Sequence, residues 1–277
     1  MKNLRSYGIQ ALLCLGLVVE GTTGCGTWVP NPTGNSGGKT QNTVQLNFVS
    51  QSQMLQATTI PIVDVNGDSN GSLVLSSLSV SVKSIKINGS DGTVGAEFAG
   101  PFQVDLLNGT SDPEPTGQTI AAGSYSHVSL SFNAISEDDF SDLDDDLIGH
   151  SVAMDGVWTS ASGDSRNVSL RISIDDEITL PNSGTGFDIV NLEESLIVAF
   201  SPGAWLSFNQ GDDNEQSVDF SSLAAEGDIV LDETSEGTNL LVREVIEELI
   251  ETSMDHGIDS DGDGSLSEDE DEFDDDD

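Results

Sequence analysis

Between residues 43 and 237 the apolar side chains recur at every second position, and this period constrains the fold more than any other feature. Val44, Leu46 and Phe48 alternate with polar neighbours. So do Leu78, Val80 and Val82; Val128, Leu130 and Phe132; Val168, Leu170, Ile172 and Ile174; and Leu196, Val198 and Phe200. Successive side chains of a strand point to opposite faces, so each run predicts a strand with one face buried. The apolar phase jumps between Val82 and Ile85, which predicts a bulge at Lys83 and Ser84. Turn pairs such as Asn88-Gly89, Asp91-Gly92, Asn108-Gly109 and Gly163-Asp164 separate the runs. No helical period precedes Thr238. The expected body, residues 43–237, is therefore mainly β, an antiparallel β-sandwich of about eight to ten strands.

A chain of 277 residues with 36% apolar content can bury a substantial core, as one large domain or two small ones. Charge is the outlier: 8 basic against 49 acidic residues leave a formal net charge of −41. Such a chain is repelled by nucleic acid and by anionic lipid, and it gathers cations. A nucleic-acid partner is excluded on this ground. Two accounts of the charge stand side by side, solubility in a salty medium and loading with calcium.

At the start of the chain Lys2 and Arg5 precede the apolar run 11–19, and small residues lead to Cys25. This pattern predicts an export signal, too short to span a bilayer. The chain holds 2 cysteines, Cys14 inside the signal and Cys25 at its end, so processing leaves Cys25 no disulfide partner. The stretch resembles a bacterial lipoprotein signal. That resemblance implies cleavage after residue 24 and acylation of Cys25. It also implies a cell-envelope address anchored in a membrane by more than one acyl chain. Gly26 in place of Asp favours, by analogy, the outer membrane. Ordinary secretion with cleavage nearby is the alternative. Residues 25–42 are rich in Gly, Pro, Asn, Ser and Thr and read as a flexible tether, with Trp28 its one large apolar group.

Residues 238–277 form the last segment. Leu241, Val242, Val245, Ile246, Leu249 and Ile250 recur at helical spacing, which predicts a C-terminal α-helix capped by Thr238 or Asn239 and interrupted by Gly257. Then comes DSDGDGSLSEDE, residues 259–270. A calcium loop needs oxygens at positions 1, 3 and 5, a backbone carbonyl at 7, a ligand or water at 9, a bidentate carboxylate at 12, and Gly at 6. Those places hold Asp259, Asp261, Asp263, Ser265, Ser267 and Glu270, with Gly264 at the turn. The stretch resembles an EF-hand loop of the single, dockerin-like kind found in bacterial extracellular modules. Leu266, at position 8, is by that resemblance the apolar residue that pairs the loop with a neighbour. No exit helix is expected after Glu270. The competing account is a solvated acidic tail.

A further resemblance covers much of residues 43–208. The runs FQVDLLNG, IAAGSYSHVSLSF, VSLRISIDDEITL and LIVAFSPGAWLSF resemble a transthyretin-like domain of unknown function common in bacterial lipoproteins. It implies a prealbumin- or immunoglobulin-like sandwich, with Gly123, Tyr125 and Val128 where the chain turns into a core strand. It carries no catalytic residues.

The remaining candidates are weaker. Glu137, Asp138, Asp139, Asp142, Asp144, Asp145 and Asp146 crowd one segment, either a second cation site or a solvated loop. Residues 64–72 imitate the start of a calcium loop through Asn66, Asp68, Asn70 and Gly71 but lack the closing Glu, so a hairpin connection is expected. His127, His150 and His256 are too dispersed, without cysteines, for a zinc set. Trp158 and Trp205 read as core or rim aromatics ahead of a sugar-stacking platform. The expected protein is therefore a lipid-anchored envelope protein of interaction or structural type, not an enzyme. Its cofactor is Ca²⁺, and its partners are the membrane and a glycan or another envelope protein.

Overall fold

The structure is a computed structural model, and it describes residues 41–50, 59–63, 69–136, 145–180, 186–191, 193–206, 220–262 and 264–266. Strands dominate. In chain order they are β1 (Gln41–Ser50), β2 (Thr59–Val63), β3 (Ser69–Asn88), β4 (Val94–Asp105), β5 (Thr110–Asp112), β6 (Gln118–Ala121), β7 (Gly123–Tyr125), β8 (His127–Phe132), β9 (Val152–Thr159), β10 (Ser165–Ile172), β11 (Glu177–Thr179), β12 (Phe187–Ile189), β13 (Glu193–Phe200), β14 (Ile229–Leu231) and β15 (Asp255–Ile258). Among the described residues three α-helices join them: α1 (Pro202–Leu206), α2 (Phe220–Leu223) and α3 (Thr238–Thr252). Every alternating run of the sequence lies on a strand, β1, β3, β8, β10 or β13.

The larger sheet is organised around β3. Its first half pairs with β2 and β9, its second half with β4 and β8, so one strand carries two sets of neighbours. The full order is β11-β8-β3-β9-β10-β14, with β2 and β4 also on β3 and β5 on β4. A strand of 20 residues cannot keep one face on a core without correction, because sheets twist. The correction is visible. Opposite β8, Val82 pairs with Phe132 and Ser84 with Ser131, so Lys83 is the extra residue of a bulge, as its sequence predicts. A second irregularity lies between Leu75 and Ser77 opposite β9. Across both, Leu73, Leu75, Leu78, Val80, Val82, Ile85 and Ile87 all remain in the core. Gly100 of β4 lies against the bulge; a Cβ there would stand 2.5 Å from the Val82 carbonyl oxygen.

The smaller of the two main sheets has the order β15-β13-β1-β6, with β12 and β7 paired antiparallel apart from both, and it corrects the expected all-antiparallel arrangement. β1 and β13 run parallel, from Thr43 opposite Glu193 to Ser50 opposite Phe200, and β10 and β14 are parallel as well. Neither pair is joined by a tight turn, so hairpin geometry does not dictate its direction. The sheets are mixed. One core collects side chains from both: Phe48 of β1 lies 5.8 Å, ring to ring, from Phe102 of β4 and 6.5 Å from Phe200 of β13. Each such fully buried aromatic or aliphatic side chain contributes about 1.5–3 kcal/mol.

The turn between β6 and β8 is tied by its tyrosine. Tyr125 donates its hydroxyl to the Ala121 carbonyl at 2.6 Å, its ring packs 6.1 Å from Phe187, and Val128 beyond it is fully buried. Two short helices precede Thr238 where no helical period exists, because α1 and α2, at 5 and 4 residues, are too short to register one. They bury Trp205 and Phe220, the latter stacked on Trp158 at 6.2 Å. Both tryptophans are thus core residues.

α3 buries Val242, Ile246 and Ile250 in the same core and packs on α1. Its start corrects the expected cap. Gly237 precedes the first turn with no side-chain cap, and Asn239 instead donates to the Val230 carbonyl of β14 at 3.2 Å. Among the described residues no helix is long and apolar enough to cross a membrane.

Candidate functional site

The segment 259–266 leaves the edge of the smaller sheet. Ahead of it α3 ends at Thr252, and residues 255–258 form β15, antiparallel to β13 with Gly257 opposite Ile197. Gly257 is therefore a strand residue, and a strand, not a helix, enters the loop. His256, in the same strand, is fully buried and meets the Phe187 ring edge-on at 5.6 Å.

The loop coils around its first residue. Asp259 donates its backbone N–H to the Ser195 carbonyl at 2.9 Å, which fixes it to β13. Its carboxylate accepts the N–H of Gly262 at 2.7 Å and of Gly264 at 3.2 Å. Both glycines have positive φ, +76° and +77°, a region where a Cβ costs about 1–2 kcal/mol. The Gly at position 6 thus occupies the conformation that its place in the spacing demands.

Leu266 then folds back onto the sheet, against Val49, Ile197 and Ala199. These three point away from the main core, whereas Leu196, Val198 and Phe200 point into it. β13 is consequently buried on both faces from residue 196 to 200. The signal was present in the sequence as LIVAF, an unbroken apolar run of the kind that strands covered on both sides require.

Of the expected calcium ligands, Asp259, Asp261 and Ser265 are placed on this coil, while Asp263, Ser267 and Glu270 lie outside the described residues. The signal at 1–24, Cys25 and residues 25–40 of the tether, with Trp28, lie outside them too, whereas Gln41 and Asn42, expected at the tether's end, belong to β1. Among the described residues no group of three or more His, Cys, Asp or Glu is arranged to hold a metal ion.

The acidic segment 137–146 is described only at its end, a 3-10 turn at Asp145–Leu147. Asp146 there is bound by Arg171 of β10 at 2.9 Å, and the same guanidinium reaches Asp155 of β9 at 2.8 Å. Burial pushes the Asp155 carboxyl up, but the bond and charge of Arg171 outweigh it and hold Asp155 below its ordinary range. Glu137, Asp138, Asp139, Asp142 and Asp144 lie outside the described residues. β2 and β3 pair antiparallel, while residues 64–68 between them, with Asn66 and Asp68 of the calcium-loop imitation, lie outside the described residues; Asn70 accepts bonds from Trp158 and Ser221 at 2.9 and 2.6 Å.

One cluster brings serine, histidine and carboxylate together. Glu233 lies 3.0 Å from His150 Nδ1, and Ser173 Oγ lies 2.7 Å from Glu233 and 2.8 Å from the Gly149 carbonyl, two acceptors for its single proton. An activated serine needs the hydroxyl on one imidazole nitrogen and the acid on the other. Here Ser173 Oγ, 3.5 Å away, and Glu233 both approach Nδ1, so this cluster does not have that arrangement. His127 stands apart, 2.8 Å from the Ser126 hydroxyl. No protein-family model, curated protein or solved structure matches this chain.

Proposed function

We propose that this chain is an exported, lipid-anchored protein of the bacterial cell envelope. Its body is an immunoglobulin- or prealbumin-like β-sandwich that serves binding or structure, not catalysis. The C-terminal loop takes up one Ca²⁺ through Asp259, Asp261, Asp263, the Ser265 carbonyl, Ser267 and Glu270. The observation that supports the loop reading is the coil itself: the Asp259 carboxylate at its centre, ringed by two glycine N–H groups at positive φ. Such bonds fix the first ligand in place before the ion arrives. The Tyr125 to Ala121 bond supports the sandwich reading, since a tyrosine tied to backbone a few residues upstream marks corners of such domains.

Calcium in this role neutralises part of an acidic terminus and secures it on the sheet. It acts as a local stabiliser, with a Kd on the order of 10⁻⁴ to 10⁻³ M as in extracellular modules. Isothermal titration with calcium tests it. Binding heat lost in Asp259→Ala, with circular dichroism unchanged, is expected; heat that survives the substitution, or no heat at millimolar Ca²⁺, defeats the proposal. For the anchor, the intact mass of the membrane-extracted protein reports the acyl chains on Cys25, and Cys25→Ser moves the protein into the soluble fraction.

A further inference from the structure

A second feature lies along the smaller sheet, bordered at one end by the C-terminal loop. β6 pairs with β1 only from Gln41 opposite Ala121 to Val44 opposite Gln118. From residue 45 onward, β1 has no partner among the described strands on the side away from β13. A cleft of about 530 Å³ runs beside this edge. It is lined by residues 45–49 without a gap, on the far wall by residues 109–111, Glu114 and Pro115, and at one end by Gly264 of the C-terminal loop.

That continuity is informative. Alternate residues of a strand point to opposite faces, and here Leu46 and Phe48 enter the core while Val49 packs under Leu266. A cleft lined by both sets lies along the backbone edge, not over either face. The far wall is also strand-like, because β5 pairs through Thr110 to Asp112 with β4 on its other side. The cleft is thus a slot between an unpaired run of β1 and the outer side of β5, within the roughly 300–1,000 Å³ of ligand clefts.

We propose that this slot accepts an extended, basic peptide segment of another protein by strand addition to β1. Main-chain groups of β1 supply the pairing, and the neutral polar residues Gln45, Thr110 and Ser111 line the slot. Charge selects the occupant. Glu114, exposed on the wall, is the one ionisable side chain among the described lining residues. A second copy of this chain brings another −41 and is repelled, whereas a segment carrying Lys or Arg is drawn in.

The probe is a blocked hexapeptide, Thr-Val-Thr-Arg-Thr-Val, added to the full chain in detergent and followed by amide NMR. Shifts centred on residues 45–50 and 109–111 are expected, and they vanish when alternate peptide nitrogens are methylated. Glu114→Lys, an exposed change that leaves the core intact, weakens the arginine peptide by up to about fivefold and favours its glutamate counterpart. Three results overturn the proposal: equal binding of the methylated peptide, shifts centred elsewhere, or no shift at millimolar peptide. So does slow hydrogen exchange in the free chain at every amide from 45 to 50, since that edge is then already paired. Concentration-dependent dimerisation that displaces the peptide makes a second copy the occupant and rejects the basic partner.

Discussion

At the scale of single residues, glycines mark where backbone and side chain meet most closely. Gly264 was legible, because it falls at the sixth place of a known spacing; Gly262, at the fourth, was not. Gly95 was not, since nothing in its neighbourhood of β4 announces a contact with a residue thirty positions away. A Cβ on Gly95 would stand 2.3 Å from Tyr125 Cε1 and 3.2 Å from Ile120 Cδ1. The ring cannot swing aside freely, because its hydroxyl is bound to Ala121 and its face packs on Phe187. Overpacking of this kind costs about 1–3 kcal/mol. Gly95→Ala should lower the urea midpoint accordingly, and the loss should shrink when Tyr125→Leu clears the space. An equal loss in both backgrounds would locate the strain in the backbone and not against the ring.

At the scale of elements, α3 carries an electrostatic cost that its periodicity conceals. Burial, then the charge of neighbouring carboxylates, pushes Glu247 and Glu251 above their ordinary value of 4.5; Asp176 bears on both, Glu244 and Glu233 on Glu247, and Glu248 on Glu251. Arg243 opposes the shift at Glu247 only. A carboxyl raised in the folded state adds no penalty while it is protonated in both states. The penalty grows as pH rises through the ordinary value and is complete above the folded one. Asp155 and Glu177 are shifted the other way, so their contribution is present above their ordinary values and is lost as pH falls through the depressed ones. Melting temperature should therefore rise as pH falls from neutral toward the ordinary value of 4.5, by about 2–4 °C for each kcal/mol relieved, and fall again in stronger acid. Differential scanning calorimetry of Glu247→Gln/Glu251→Gln should give a flatter rise; a profile like that of the parent chain would put the titrating groups elsewhere. The helix and the strands β1, β3, β8, β10 and β13 were readable because periodicity is local. The parallel pairing of β1 with β13 was not, because the partners lie about 150 positions apart in the chain. β15 was missed because Asp255, His256, Gly257 and Ile258 show no alternation, and its strand state depends on the edge that β13 offers.

At the scale of the whole molecule, 8 basic residues face 49 acidic ones, and the structure spends several cations on internal ties. Arg171 bridges Asp146 and Asp155, Lys86 binds Glu177 at 2.6 Å, and Arg166 reaches the Ala224 carbonyl at 3.3 Å. Little positive charge is left to offset the acidic surface, so self-repulsion opposes compaction. Salt should relieve it. The Debye length falls from about 30 Å at 0.01 M to about 8 Å at 0.15 M ionic strength and changes little in absolute terms thereafter. The urea midpoint should accordingly climb steeply with NaCl over the first few tenths molar and then level. Because the mechanism is screening, chloride and sulfate salts matched in ionic strength should act alike in that range. A gain that begins only at high concentration and is larger in sulfate would instead reflect exclusion of the salt from apolar surface, and the acidic balance would then have no part in limiting stability.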